Sequence, residues 1–239
     1  MRSYKVYLYL AMASVLGTAM VLLGVPWIAV LVQAALCYPV LWRDLERSDL
    51  GGAVRHMLFC AVLVSLCTIE VSIHAREQAA IAIPRGEAYR VEMFEYIERG
   101  VGNENDPHAF LPEHALHFAA TLGASFLTVG LGGLVLGSIL LGYMNYYVGS
   151  LVQLGADPLF GSLFGWPIWS MFRVVGFIIG AIAMAHLFHA RVLRRSGWDG
   201  PGFRQLLLWS VTLAFTDIVL KAFLAEPWRA HLLERALLP

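Results

Sequence analysis

Residues 114–151 constrain the fold more than any other part of the chain. They read HALHFAATLGASFLTVGLGGLVLGSILLGYMNYYVGSL, without a single Asp, Glu, Lys or Arg. As one helix, 38 residues would extend about 57 Å at 1.5 Å per residue. The hydrocarbon core of a bilayer is only ~30 Å thick and takes about 20 residues to cross. The stretch is therefore expected to cross twice, over 114–129 and 134–151. The turn is placed at Gly130-Leu131-Gly132-Gly133, because glycine accepts the positive φ a tight reversal needs. The alternative is one long tilted helix whose glycines serve packing.

The rest of the chain agrees with a membrane fold. Only 14% of residues are charged, against about 25% in soluble domains. The formal net charge is zero, which argues against nucleic acid, because binding phosphates requires a concentrated basic surface. Cys37, Cys60 and Cys67 all lie in apolar segments with no CxxC between them, so they read as buried inert thiols.

In chain order, Arg2 and Lys5 precede an apolar run over 6–24 that reads as a retained first span rather than a cleaved signal. Gly24-Val25-Pro26 breaks it, and residues 27–41 form a short second span. Residues 43–55 read as a polar loop or short surface helix, and 56–75 as the third span. The one long polar segment, 76–112, contains seven acids and four arginines. Within it AYRVEMFEYIERG has the pattern of an amphipathic helix ended by Gly100, followed by turn residues GNENDPH. Beyond the central hairpin, residues 155–167 are apolar but rich in Gly and Pro, as interfacial or re-entrant backbone is. Trp166 and Trp169 there suit the headgroup level. Residues 168–190 and 203–225 are the last two spans, followed by a short amphipathic tail.

The expected fold is all-α: a polytopic transmembrane helical bundle forming a single domain over 1–239, with about seven spans, or six if the central stretch crosses once. Charge orients it. With seven spans and a cytoplasmic N-terminus, nine Lys and Arg fall in inner segments (Arg2, Lys5, Arg43, Arg47, Arg55, Arg191, Arg194, Arg195, Arg204) and six in the longer outer ones. Short positive loops stay in the cytoplasm. This predicts a bacterial inner-membrane protein with residues 76–112 and the C-terminus outside.

Charged groups within a bilayer cost several kcal/mol and mark interior pairs or function. Asn145, Arg173, Asp217 and Lys221 all fall in the outer leaflet under this topology and form the expected substrate pocket. Arg173, about 10 Å below Trp166, needs an acid, and Glu70 and Asp217 are the candidates. Asp217 and Lys221 at i,i+4 are expected to pair within their own helix. Glu70-x-x-x-His74 and Glu113-x-x-x-His117 each place a carboxylate and an imidazole on one helix face. Side by side, with His114, they would offer Glu and His ligands to a zinc or iron ion. His56, His186 and His189 gather near the inner face as helix-end residues. Gly133/Gly137 and Gly176/Gly180 suit close helix packing in a compact bundle, a homo-oligomer or a membrane complex.

Two functions follow as expectations. One is binding or transport of a small or lipidic substrate in the outward-facing pocket, or service as a subunit of a membrane complex. The other is a membrane-embedded metal-dependent hydrolase with metal-bound water as nucleophile and Glu70 or Glu113 as base.

Overall fold

A computed structural model describes residues 3–102, 104, 106–193 and 197–237. Arg2, Arg194 and Arg195, which carry part of the charge count, lie outside them. Ten α-helices make up the described chain: α1 (Ser3–Ala19, continued by a 3₁₀ turn Met20–Leu23), α2 (Ile28–Glu46), α3 (Leu50–His74), α4 (Arg76–Ala82), α5 (Gly86–Arg99), α6 (Pro107–Leu127), α7 (Leu131–Leu154), α8 (Pro158–Phe164), α9 (Ile168–Arg191) and α10 (Gly200–Leu232, continued by a π turn Leu233–Leu237). The fold is all-α, with no strand among the described residues.

Six helices are long and apolar enough to cross a membrane: α1 with its 3₁₀ extension, α2, α3, α7, α9 and α10. They make the chain fit an integral membrane protein. Exposed side chains on α10, among them Leu208, Trp209, Phe215 and Phe223, belong to such an apolar solvent. α6 has the length of a span but not the apolarity. His108, Glu113, His114 and His117 occupy its first half, and Pro112 lies within it.

The central stretch does fold as a hairpin, α6 against α7. Its turn lies at residues 128–130, beginning two residues earlier than expected. Val129 and Gly130 supply the left-handed backbone, at φ 55° and 94°. Thr128 closes the turn by accepting the Gly132 amide on its hydroxyl at 2.6 Å. Gly132 and Gly133 instead begin α7 and pack on α6, where a Cβ would collide with Ala124 and Ser125.

Capping explains other boundaries. Asp106 accepts the His108 amide at 2.9 Å with Pro107 at the first helical position, so α6 starts earlier than the run of apolar residues suggested. Asp49 accepts the Gly52 amide at 2.8 Å. Residues 43–55 are consequently not a loop but the end of α2 and the start of α3, joined by a three-residue turn at 47–49. Buried Asp44 there takes His56 Nδ1 at 2.7 Å.

α7 is the axial helix. α2, α3, α5, α6, α8 and α9 all touch it, and Tyr143, Tyr146, Tyr147 and Leu151 on it are buried. α5 is the expected amphipathic helix and ends at left-handed Gly100, φ 68°. Its apolar face, Met93, Tyr96 and Ile97, is fully buried against α7 and the final turns. α10 packs along α9 through small residues. A Cβ on Gly176 would crowd the Ser210 carbonyl and Leu213, and Ser210 Oγ donates to the Gly176 carbonyl at 2.7 Å. Trp169 does not sit at a surface. It is buried edge-to-face on Trp228, ring centroids 5.4 Å apart.

Candidate functional site

The close packing of α9 on α10 sets Arg173 opposite Asp217. Arg173 Nε and Nη2 donate to the two carboxylate oxygens at 2.9 and 3.2 Å, a bidentate fork that fits guanidinium to carboxylate. Asp217 is the partner, then, and not Glu70. His114 of α6 joins from the third side, with Nε2 3.4 Å from Asp217 Oδ2. Its other nitrogen, Nδ1, donates to the Phe110 carbonyl at 2.9 Å. That bond leaves Nε2 of the neutral ring as an acceptor, and this buried atom has no hydrogen-bond partner.

Lys221 departs from expectation. It does not pair with Asp217 one turn earlier. Its ammonium reaches Glu104 Oε2 at 2.9 Å and lies 4.5 Å from the centre of the Phe110 ring. Lys221 is 1% and Glu104 12% exposed at the side chain, so water screens this pair little.

Asn145 stays apart from these three. It is fully buried on α7 with both amide atoms unpartnered. It shares a face with Gly149, one turn on, and Gly149 abuts Ser72 and the Ile69 carbonyl of α3. Of the four residues expected to form the pocket, Arg173 and Asp217 meet directly, whereas Lys221 turns to Glu104 and Asn145 stands apart.

The five expected metal ligands separate into two pairs and a lone histidine. Glu70 and His74 face each other at 3.5 Å on an exposed surface, their side chains 69% and 76% accessible. Glu113 and His117 stand 4.0 Å apart, and Glu113 also meets Arg85 at 3.7 Å. His114 turns to Asp217. Among the described residues no group of three or more His, Cys, Asp and Glu is arranged to hold a metal ion. The three inner histidines also part. His56 takes Asp44, His186 stacks on Trp198 and His189 meets Trp42 edge-on.

A central cavity, partly open to its surroundings, spans about 1050 Å³ of space not filled by protein atoms, that open part included. Walls come from α2, α3, α6, α7 and α9. Its imidazole and guanidinium groups, His114, His117 and Arg173, gather with Tyr143 toward the α5 end of the bundle, while the thiols of Cys37 and Cys60 lie on the α2 and α3 walls. At the other end the lining is Leu41, Met57, Gly130, Leu134, Ala181 and Ile182. One polar line runs down α6 into it: His114, His117, Thr121 and Ser125. These positions fall on one face of a 3.6-residue helix. His114 Nε2, Thr121 Oγ1 and Ser125 Oγ on that line all lack a hydrogen-bond partner. Unpartnered buried polar atoms are rare in folded proteins and mark water or a ligand. A smaller cavity of about 380 Å³ reaches Ala82, Ile83 and Pro84, and shares Gln33, Val64 and Ser138 with the central one.

Several of these residues escape a reading of the sequence. Glu104 lies in a segment that reads only as a turn. Gln33, Cys37 and Cys60 sit inside apolar spans. The polar line on α6 did carry a legible signal, its spacing of three, four and four. No protein-family model, no curated protein and no solved structure matches this chain.

Proposed function

We propose that the protein binds, and moves within the membrane, a lipid-soluble molecule with a polar head. The head sits among His114, His117 and Arg173 and the apolar part among Leu41, Leu134 and Ile182. The observation that carries this reading is the uneven lining of the central cavity, whose imidazole and guanidinium groups gather at one end while Leu41, Leu134 and Ile182 line the other. Arg173 is held rigid by Asp217, His114 Nε2 accepts from a ligand hydroxyl or water, and the hydroxyls along α6 supply further partners. The Lys and Arg distribution supports a bacterial inner membrane with a cytoplasmic N-terminus, the polar end facing outward. Reporter fusions at residues 102–106 and after residue 196 check this by reading opposite compartments.

Photo-crosslinking tests the cavity. A diazirine-bearing fatty-acyl probe, added to the full chain in lipid nanodiscs, is expected to label peptides of α6, α7 and α9. Gly137 lines the cavity, and a Cβ built there meets nothing within 4 Å. Gly137→Phe therefore fills the space and should abolish that labelling. Label found only on lipid-facing positions such as Phe215 and Phe223 would overturn the proposal.

A further inference from the structure

Cys37 of α2 and Cys60 of α3 come from facing helices, and their sulfurs stand 2.7 Å apart. Unbonded heavy atoms settle at about 3.5–4.0 Å, so this is closer than ordinary contact. Both cysteines are buried, 1% and 6% exposed, and both line the central cavity. Three helices supply the surroundings. Gln33 Nε2 donates to Cys37 Sγ at 3.1 Å and stands 3.8 Å from Cys60 Sγ. Ser14 Oγ of α1 lies 3.6 Å from Cys60 Sγ. Both sulfurs thus meet polar partners inside an otherwise apolar interior. The inert reading of these thiols does not account for two sulfurs, an amide and a hydroxyl meeting on a cavity wall.

The separation also discriminates between chemistries. Two thiolates on one zinc ion, each about 2.3 Å from it at a tetrahedral angle, keep their sulfurs ~3.8 Å apart. Sulfurs at 2.7 Å are nearer to the roughly 2.0 Å of a disulfide. An oxidant for buried thiols must itself enter the membrane interior and accept two electrons, and the cavity offers it an apolar body site with hydrogen-bonding groups at one end.

We infer that Cys37 and Cys60 are a dithiol that a lipid-soluble quinone, bound in the central cavity, oxidises to a disulfide. This deepens the cavity-ligand reading and rests on it: a quinone is a lipid-soluble molecule whose polar head is a pair of carbonyls. In the reaction both S–H bonds break and one S–S bond forms. Two electrons and two protons pass to the quinone oxygens, which leave as a hydroquinone. The new bond ties α2 to α3 across the cavity wall.

The test uses the full chain in nanodiscs, reduced with a phosphine and desalted. One sample receives diamide, a small oxidant, and another a short-chain alkyl benzoquinone. Each sample is then unfolded in SDS, and maleimide tags are counted by intact mass. All three thiols are free in the reduced chain. Both oxidants are expected to protect Cys37 and Cys60, leave Cys67 tagged, and in the quinone sample produce one hydroquinone per chain. Cys37→Ser and Cys60→Ser each abolish the reaction. Gly137→Phe slows quinone far more than it slows diamide, the smaller oxidant. Protection by diamide but not by quinone overturns the inference, while the photo-crosslinking result above stands or falls separately. Oxidation by quinone that ignores Gly137→Phe removes the cavity from the reaction and overturns it too. Failure with both oxidants means no couple exists, and stoichiometric zinc or copper lost in either serine variant replaces it with a metal site.

Discussion

Lys221 Nζ is 2.9 Å from Glu104 Oε2, although Asp217 precedes it by one turn on the same helix. The reason is that Asp217 is already engaged by both nitrogens of the Arg173 fork. Lys221 therefore tethers the connection between α5 and α6 to the middle of α10. A double-mutant cycle on Glu104→Gln and Lys221→Met should give a coupling energy of about 0.5–3 kcal/mol, the range for contacting charged residues. Thermal unfolding in detergent or denaturant titration measures it. A coupling near zero would show that the two charges are held apart by water.

Arg173→Ala leaves Asp217 buried, 1% exposed, with its guanidinium partner gone. Breaking one side of a buried pair costs about 3–5 kcal/mol. The variant is expected to show a lower yield and melting temperature, and the double variant Arg173→Met/Asp217→Leu should recover most of the loss. An unchanged melting temperature for Arg173→Ala would mean that Asp217 is solvated.

Stability should depend on Glu92 in a stated direction. Burial raises its carboxyl above the ordinary glutamate value, and the neighbouring Glu104 and Glu113 push it further up. The folded state thus holds this proton more tightly than the unfolded chain does. Its contribution is full below the unfolded value, about 4.3, and is lost as pH rises through the raised one. Glu92→Gln removes that cost, so the variant should melt above the wild type at pH 7 and converge with it as pH falls through the ordinary carboxylate range. Melting curves across pH 4–8 check this, and a variant less stable than wild type at neutral pH would contradict it.

How much of this was legible in the residues depends on the length scale of each feature. The hairpin was, because residues 114–151 are too long for one crossing, and the glycine reversal has few other uses. The turn position was not, because three nearby glycines compete and only packing on Ala124 and Ser125 decides which enter the helix. That Arg173 needs an acid follows from burial alone. Choosing Asp217 over Glu70 requires knowing that α9 lies on α10, which the small residues Gly176, Gly180 and Ser210 arrange. The metal grouping failed for the same reason: spacing along a helix puts Glu70 and His74 on one face but leaves open whether that face turns inward, and it turns out.

The glycines of α7 give the last prediction, since two of them make opposite demands on a methyl group. At Gly149 a Cβ would sit 2.7 Å from Ser72 Cβ and 3.0 Å from the Ile69 carbonyl of α3. Neither neighbour is a flexible side-chain end, so α7 and α3 must separate to admit it. At Gly137 the same Cβ meets nothing within 4 Å, because it points into the central cavity. Alanine there gains helix propensity, about 0.5–1 kcal/mol over glycine, with no clash. Gly149→Ala should therefore destabilise by about 1–3 kcal/mol, as overpacking does, although its intrinsic propensity rises equally. Gly137→Ala should match or exceed the wild type. Thermal melts of the two variants in the same detergent decide it, and a Gly137→Ala loss as large as that of Gly149→Ala would mean that the cavity is closed at this level in the folded protein.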